Sequence, residues 1–376
     1  MAQAMIKKSG VVTARSSIYR YLYHNNEFCS RQTLANSCQI SMPTLYQNLN
    51  ELIEEGLVRY SGEEQSTGGR RAQGLEIVPD ARIAIGIAVS ENQLRLIAVD
   101  LKLNELAYRV VPFDFMARLS SQEYGLEKIL EEFLDDSGTD RGKILGVGVT
   151  IPGLITPDRT KILFAPTLHI RDVPLDFMTR NIPYPVFVDN DASASGYVEG
   201  YVREEKKHLA YISLEFGVGG AVMMDGIPYT GDHYHSGEFG HICVEPGGLP
   251  CNCGKNGCLE AYCIPRRIEE TFGITAEEFF KGVSEHNVPY ENLMYDMLRH
   301  LAVAVNTINM TLDCEVVLGG FFSEYLRPYL PVIRQYVMAG NPFAENADFV
   351  TMSTVPRHIT PIGAALHYVR DYVDSV

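Results

Sequence analysis

The chain has 376 residues, of which 46% are hydrophobic and 21% are charged, and its formal net charge is −15. This length allows two or three domains with a sizeable core. No apolar run is long enough to cross a membrane, and no apolar segment follows Lys7 and Lys8 as it would in a secretory signal. Eight cysteines in so long a chain do not make a disulfide scaffold. We therefore expect a cytoplasmic protein without a membrane partner.

The negative charge is unevenly distributed along the chain. Residues 1–80 carry eight basic and eight acidic side chains, so this segment is neutral and the whole acidic excess lies in residues 81–376. A neutral head on an acidic body indicates two parts with different partners. Because Pro79-Asp80 reads as a boundary, we expect a head domain at 1–80 and a body at 81–376.

Residues from about 13 to 60 predict a helical module. Ser30 and Ser41 each precede a helical segment and are expected to cap it. The outer face of the later helix carries hydroxyl and amide side chains: Thr44, Gln47 and Asn48. A short helix, a tight turn and such a helix make a helix-turn-helix, whose amides can pair with adenine edges in a major groove. A plain helical hairpin with a solvated face is the alternative.

A Gly-rich segment with two adjacent arginines follows the predicted helices. Arg70 and Arg71 lie between two short strands that begin near Leu57 and Leu75, which together predict a wing. Arginines on such a loop can reach phosphates or enter a narrow minor groove. We therefore expect DNA as a partner, contacted by these arginines and by the outer face of the preceding helix.

Three cysteines lie within eight residues, at Cys251, Cys253 and Cys258, and His241 lies ten residues upstream. The glycines between the cysteines allow sharp turns that aim the sulfurs at one point. Three thiolates and one imidazole predict a closed zinc site over residues 241–258. Four protein ligands leave no open position for water, so the zinc is expected to be structural. Four unrelated residues in a core are the alternative.

Two carboxylates flank the predicted zinc ligands. Glu238 lies three residues before His241, and Glu260 lies two residues after Cys258. A metal site fixes the groups around it, so the zinc would hold these carboxylates in place. The second ring nitrogen of His241 can also donate a hydrogen bond. Two acceptors and one donor suit a ligand that is rich in hydroxyls.

Glu-Phe-Gly-His followed by Cys-x-Cys-Gly-x-x-Gly-Cys-x-Glu resembles the signature of the ROK family, which contains sugar kinases and sugar-responsive transcriptional repressors. The resemblance implies a two-lobed actin-like, sugar-kinase-type α/β body. The strand-helix alternation after Asp80 agrees with it. Within the body, residues 297–312 predict a long apolar helix and residues 361–373 predict a closing helix.

The phosphate-binding positions depart from the kinase pattern. The family's Asp-x-Gly-Gly-Thr is matched here by Ala88, Ser90, Glu91 and Asn92. Phosphoryl transfer depends on positioning and charge neutralisation, and Glu91 adds a negative charge where phosphates would lie. Glu215 and Phe216 replace the Gly and Thr of the second phosphate loop, and Phe321 crowds the adenosine side. The resemblance therefore implies that this chain is not an enzyme.

The resemblance also implies a sugar site. Pro152-Gly153 matches the turn that lines the sugar in the family, and Asn190 and Asp191 match a motif whose Asp is the general base of the kinases. Helix capping is the alternative for the last two residues. Thr167 replaces an Asn that contacts sugar. The expected sugar contacts are Gly153, Asn190, Asp191, Glu238, His241 and Glu260.

These observations together predict a sugar-responsive transcriptional regulator, most simply a repressor, that acts as a homodimer or a dimer of dimers. Two alternatives stay open. One is an ATP-dependent sugar kinase with an appended DNA-binding head. The other is a zinc-stabilised scaffold that binds DNA without a ligand.

Overall fold

The computed structural model describes residues 13–25, 29–63, 73–117, 126–203, 205–355 and 357–376. The head contains three helices and a two-stranded antiparallel sheet: α1 (Ala14–His24), α2 (Arg31–Ser37), α3 (Met42–Glu54), β1 (Val58–Glu63) and β2 (Gln73–Ile77). Side chains cap all three helices. The hydroxyls of Thr13, Ser30 and Ser41 each accept a hydrogen bond from a backbone N–H in the first turn.

The first lobe is built on a five-stranded sheet. Its elements, in chain order, are β3 (Ile83–Val89), β4 (Gln93–Asp100), β5 (Glu105–Pro112), α4 (Leu126–Ser137), β6 (Ile144–Ile151), β7 (Leu154–Ile155), β8 (Lys161–Ala165), β9 (Ile170–Pro174), α5 (Asp176–Thr179) and β10 (Val186–Asn190). The sheet order is β10-β6-β3-β4-β5, and β7, β8 and β9 form a small separate sheet. Every residue of β3 is buried, as expected for a central strand covered on both faces.

The second lobe is built on a second five-stranded sheet, of order β13-β12-β11-β14-β15. Its elements are α6 (Asp191–Val202), β11 (Leu209–Leu214), β12 (Val218–Met224), β13 (Ile227–Tyr229), α7 (Pro265–Phe272), α8 (Ala276–Ser284), α9 (Val288–Leu312), β14 (Glu315–Gly319), α10 (Phe321–Leu326), α11 (Leu330–Gly340), β15 (Val350–Met352) and α12 (Ile359–Ser375).

Helices α6 and α12 pack on each other between the two sheets. Helix α12 lies against the first sheet, where Gly86 and Gly148 are register partners on β3 and β6. A Cβ atom on Gly86 would lie 1.8 Å from the carbonyl oxygen of Pro361. Helix α6 instead lies against the second sheet, where a Cβ atom on Gly196 would lie 2.4 Å from the Cβ atom of Ala221. Glycines therefore let each helix approach its own sheet closely.

The head packs directly against the body. Helix α1 contacts α12, and Arg20 donates a hydrogen bond of 2.7 Å to the carbonyl oxygen of Asp374. One continuous hydrophobic cluster contains Leu22 of α1, Val99 of β4 and Leu366 of α12. The hydrophobic core of the neutral head is therefore continuous with that of the body.

Some elements differ from the sequence analysis, which includes neither β5 nor the small sheet β7-β8-β9. The long apolar helix, expected from Met297, begins at Val288. Asn287 caps this earlier start, because its side-chain oxygen accepts from the N–H of Tyr290, and Pro289 stands in the first turn. Within the described ranges, no helix is both long enough and apolar enough to cross a membrane.

The close approach of α12 to the first sheet gives a stability prediction. A methyl group added by Gly148→Ala would lie 1.9 Å from the carbonyl oxygen of Ala364. Either the helix or the strand must move, so we expect a loss of about 2–3 kcal/mol in the free energy of unfolding. Urea denaturation measures this loss.

Gly142→Ala is the matched control, because its added methyl would meet only the exposed Asp140 carboxylate, at 3.3 Å. Equal stabilities of the two variants would contradict the tight packing of α12 on β6.

Candidate functional site

Four candidate metal ligands converge after β13. The ligand atoms of His241, Cys251, Cys253 and Cys258 all lie within 4.8 Å of one another. The Sγ atoms of Cys253 and Cys258 are 3.7 Å apart, and Nδ1 of His241 is 3.8 Å from Sγ of Cys251. The sequence prediction that these four residues come together is confirmed.

The glycines of this segment have the conformation that the sharp turns require. Gly254 and Gly257 both have φ of +83°, which side-chain-bearing residues rarely adopt. A Cβ atom on Gly257 would lie 1.9 Å from the carbonyl oxygen of Glu245. The N–H of Gly257 donates to Leu249 and its carbonyl accepts from Val244, so the cysteine loop folds back on the preceding segment.

The geometry of the four residues fits a tetrahedral zinc site. With Zn–S bonds of about 2.3 Å, two sulfurs at the tetrahedral angle lie roughly 3.8 Å apart. The observed separation of 3.7 Å between the Sγ atoms of Cys253 and Cys258 matches this value. Three thiols and an imidazole are also a donor set that zinc prefers. The structure thus contains a His-Cys₃ cluster that could bind a metal.

The two predicted carboxylates flank this cluster. Nε2 of His241, the ring nitrogen that faces away from the thiols, is 3.8 Å from an oxygen of Glu238. Burial raises the pKa of the Glu238 carboxyl, and the neighbouring imidazoles of His241 and His235 oppose the rise. Glu260 has one oxygen 3.9 Å from Sγ of Cys251, and its other oxygen accepts a 3.0 Å hydrogen bond from the N–H of Val218. Glu260 therefore ties the cluster to the start of β12.

Asn190 and Asp191 stand where β10 ends and α6 begins. Asn190 is the N-cap of α6, since its Oδ1 accepts from the N–H of Ser193 at 2.9 Å. Its Nδ2 donates to the carbonyl oxygen of Gly153 at 3.0 Å, so it also holds the predicted sugar-lining turn. The capping alternative is thus realised for Asn190, whose sugar contact stays a prediction.

Asp191 is the first residue of α6 and carries a titratable carboxyl. Its Oδ1 accepts from the N–H of Ala192 at 2.8 Å. Burial raises the pKa of Asp191 to about 7, although the Ala192 N–H acts in the opposite direction, and the nearby Glu215 carboxylate adds to the rise. A carboxyl with this pKa exchanges its proton near neutral pH, and its ionised form is a strong hydrogen-bond acceptor.

The glycine loop, which we define as residues 215–220 from the β11–β12 turn into the start of β12, joins the two groups of predicted sugar contacts. A Cβ atom on Gly219 would lie 2.7 Å from the Cβ atom of Ala192, at the start of α6. A Cβ atom on Gly217 would lie 3.0 Å from an oxygen of Glu260. The loop therefore lies between Asp191 on one side and the cluster with its carboxylates on the other.

Side chains fill the positions that the sequence analysis matches to the phosphate loops of the kinases. Glu215 accepts a hydrogen bond from the N–H of Phe321 at 3.3 Å, and burial raises the pKa of its carboxyl. Phe216 is 67% exposed, and its ring centroid lies 4.9 Å from that of Phe321. At the β3–β4 turn, both the N–H and the hydroxyl of Ser90 donate to Gln93.

Arg95 is a site residue that the sequence analysis misses. It lies on β4 directly opposite Ala88, on the same face of the sheet. Its positive charge opposes the burial-induced rise in the pKa of both Asp191 and Glu215. Among the described residues, none forms a hydrogen bond with its buried Nε. The signal was present in the sequence as an arginine between two leucines in an otherwise apolar strand.

The predicted DNA-contact residues of α3 differ in exposure. Gln47 is exposed, whereas Thr44 and Asn48 are partly buried. The Asn48 side chain donates to the carbonyl oxygen of Thr44 at 2.8 Å. Tyr46 of the same helix is also exposed, and the Arg31 guanidinium lies 5.5 Å from its ring centroid. Arg70 and Arg71 lie outside the described residues.

Comparisons with known proteins agree with this architecture. The xylose repressor of Bacillus subtilis (strain 168) is 26% identical, over 86% of this chain and 82% of its own. The N-acetylglucosamine repressor of Escherichia coli O157:H7 is 24% identical, over 89% of this chain and 87% of its own.

Two solved structures share the fold. A ROK family transcriptional regulator, described as a homolog of the E. coli MLC protein, superposes with a TM-score of 0.75 at 20% identity and covers 96% of each chain. A ROK family glucokinase from Streptomyces griseus, in complex with glucose and AMPPNP, gives a TM-score of 0.64 at 21% identity, covering 76% of this chain and 98% of its own. Residues 84–365 match the ROK family profile, and this chain therefore belongs to the ROK family.

Proposed function

We propose that this chain is a transcriptional repressor that binds operator DNA through its head and a sugar or sugar derivative in its body. The observation that carries the proposal is the extent of the similarity to proteins named as repressors. They match 86% and 89% of this chain, which is more than residues 81–376 could supply alone. Their similarity therefore includes part of the head.

The head has the element order of a winged helix-turn-helix. Helices α2 and α3 are joined by a short turn, and β1 and β2 form the wing. We assign α3 to the major groove, with Gln47 as its exposed base-reading amide and with Thr44 and Asn48 near the same face. Arg70 and Arg71 are assigned to the wing. The division at residue 80 is part of this proposal.

The sugar site is assigned to the cleft beside the glycine loop. Asp191, Glu238 and Glu260 offer acceptors, and Nε2 of His241 offers a donor. Gly153 and Asn190 shape the opposite wall through their mutual hydrogen bond. This set of groups matches a ligand with several hydroxyls, because each hydroxyl can both donate and accept.

The His-Cys₃ cluster is assigned to structural zinc. His241, Cys251, Cys253 and Cys258 would supply all four ligands of a tetrahedral ion, which leaves none for water. When bound, the zinc would stabilise the loop as a cross-link. The protein's own part is to hold Glu260 against the start of β12 and Glu238 beside His241.

The kinase alternative is disfavoured by the groups on the phosphate side of the cleft. A nucleotide there would meet the Glu215 carboxylate and the ring pair of Phe216 and Phe321. Ala88 offers no carboxylate for magnesium. An assay for ADP release with ATP and a sugar panel separates this alternative from a repressor.

We further propose that the repressor is a dimer with two DNA-binding heads. Sugar between the lobes would shift their closure and so change the relative placement of the heads. A scaffold that binds DNA without any ligand is the remaining alternative, and sugar titration by calorimetry distinguishes it.

The main test is binding to DNA from upstream of the chain's own gene, at one stated salt concentration, with and without a sugar panel that includes xylose and N-acetylglucosamine. We expect tight binding that one sugar weakens. Gln47→Ala should reduce operator affinity by about 1–3 kcal/mol, because a base-reading amide pair is lost. Gln335→Ala, an exposed helical glutamine of the body, is the matched control.

Tight operator binding that responds to none of the sugars would favour the ligand-free scaffold. Absence of binding, together with ADP release, would support the kinase. If the two glutamine variants changed operator affinity equally, the assignment of α3 to the DNA interface would be wrong.

The pKa of Asp191 predicts a pH dependence. The ionised carboxylate is the better acceptor for a sugar hydroxyl, so sugar affinity should rise roughly three- to tenfold from pH 6 to pH 8. The stability effect has the opposite sign. The folded pKa exceeds the ordinary value of 3.8, so this group's stabilisation is full below that pH and is lost as pH rises through about 7.

Calorimetry across this range, on the native chain and on Asp191→Asn, measures the effect. The variant should bind sugar more weakly, with the Asp191-dependent part of the pH response removed. If sugar affinity changed with pH identically in both proteins, the assignment of Asp191 as a sugar contact would be wrong.

The metal assignment predicts one zinc per chain. Cys253→Ser should lose the metal and lower the unfolding temperature, because a closed zinc site contributes folding free energy. Metal content by atomic absorption and thermal unfolding measure the two effects. Cys243→Ser is the matched control, since this exposed cysteine lies in the same loop outside the cluster. Full zinc content in both variants would contradict the ligand set.

A further inference from the structure

Helix α1 of the head is hydrogen-bonded to both lobes of the body at one point. The hydroxyl of Tyr23 donates to the carbonyl oxygen of Leu101, just after β4 of the first lobe, at 2.5 Å. The hydroxyl of Tyr201, near the end of α6, donates to the hydroxyl of Tyr23 at 2.8 Å. The two bonds form a continuous chain from α6 through the head to the first lobe.

The bond from Tyr23 to Leu101 is buried, and the bond from Tyr201 to Tyr23 is partly buried. Tyr23 is 4% exposed and Leu101 is fully buried. Burial raises the pKa of Tyr23, so its hydroxyl keeps its proton and donates at all ordinary pH values. The Lys102 ammonium lies 4.7 Å from the Tyr23 ring centroid and also donates to the carbonyl oxygen of Tyr23. Helix α1 is thereby fixed to the first lobe beside the end of β4.

Helix α6 connects this contact to the proposed sugar site. The helix begins at Asp191, and Tyr201 lies ten residues later, about 15 Å along the helix axis. The middle of α6 packs on the second sheet, where glycines allow close approach. Its N-terminus is held to the first lobe by the bond from Asn190 to Gly153. Movement of one lobe against the other must therefore change how the two ends of α6 are placed.

We propose that Tyr201 is a positioning residue through which lobe closure reaches the DNA-binding head. This inference rests on the proposed function. Sugar at the Asp191 end of α6 would favour one arrangement of the lobes, and the hydrogen bond from Tyr201 to Tyr23 forms with full geometry in only one of them. The bond therefore biases the placement of α1, and with it α3, according to whether sugar is bound.

The test uses the full-length protein and DNA from upstream of its own gene, with saturating xylose or N-acetylglucosamine as the probe. The readout is operator affinity without sugar divided by operator affinity with sugar. Typical couplings between two binding sites would give a ratio of about 5 to 150. Tyr201→Phe keeps the ring and removes only the hydroxyl. We expect this ratio to fall at least about threefold, while sugar affinity and unfolding temperature stay close to the native values.

Tyr262→Phe is the matched control. It removes one tyrosine hydroxyl that also makes a 2.8 Å bond, to the N–H of Leu249, but inside the second lobe. It should leave the ratio unchanged. A double-mutant cycle with Tyr23→Phe should show that the effects of Tyr23 and Tyr201 are not additive.

The outcomes separate the two proposals. A native-like ratio in Tyr201→Phe, with folding and sugar binding intact, would overturn the role of Tyr201 and leave the repressor proposal standing. A ratio that Tyr262→Phe lowers equally would also overturn it, because any lost hydroxyl would then suffice. A native chain whose operator affinity no sugar alters would overturn the proposed function itself, and this inference with it.

Discussion

The buried carboxylate of Glu199 joins α6 to the segment that leads into α12, and the arrangement of the body depends on it. Glu199 is fully buried, pairs with Arg203 at 2.9 Å and accepts from the N–H of Thr354 at 3.1 Å. Arg203 also reaches Glu315 of β14, at 2.7 Å. Removing one partner of a buried pair leaves an uncompensated charge and typically costs about 3–5 kcal/mol. This network fixes α6 on the second sheet and so helps to set the positions of both ends of the helix.

On the proposed function, the cleft lacks the phosphate site of the sugar kinases while both sheets keep their order. Ala88 lies in β3 where the kinase pattern has a carboxylate for magnesium, and Arg95 stands opposite it on the neighbouring strand. The Arg95 guanidinium is therefore a fixed cation on this face of the sheet. It acts on the buried carboxyls of Asp191 and Glu215. Around these residues both sheets keep five hydrogen-bonded strands.

Local patterns predicted most of the fold and the His-Cys₃ cluster, because their causes are local. The caps at Ser30 and Ser41 and the cysteine spacing can be read from a few neighbouring residues. Contacts between distant segments could not be predicted from the sequence. Asn190 caps a helix and also bonds to Gly153, 37 residues away, and no spacing rule contains that contact. The bond between Tyr201 and Tyr23 joins residues 178 positions apart, so only the folded chain reveals it.

The contacts between head and body limit how strongly sugar binding can change operator affinity. Beyond shared apolar packing, the polar contacts of α1 with the body include the two hydroxyl bonds of Tyr23 and the bond from Lys102 to the Tyr23 carbonyl oxygen. They also include the pair of Arg20 and Asp374, whose partial exposure makes it weak. A change confined to these bonds can alter the free energy of head placement by only about 1–3 kcal/mol. Couplings between ligand sites commonly have this magnitude. On the proposed function, sugar would therefore lower operator affinity by a graded factor while the head stays packed on the body, because its buried apolar cluster is too large to be released by one ligand.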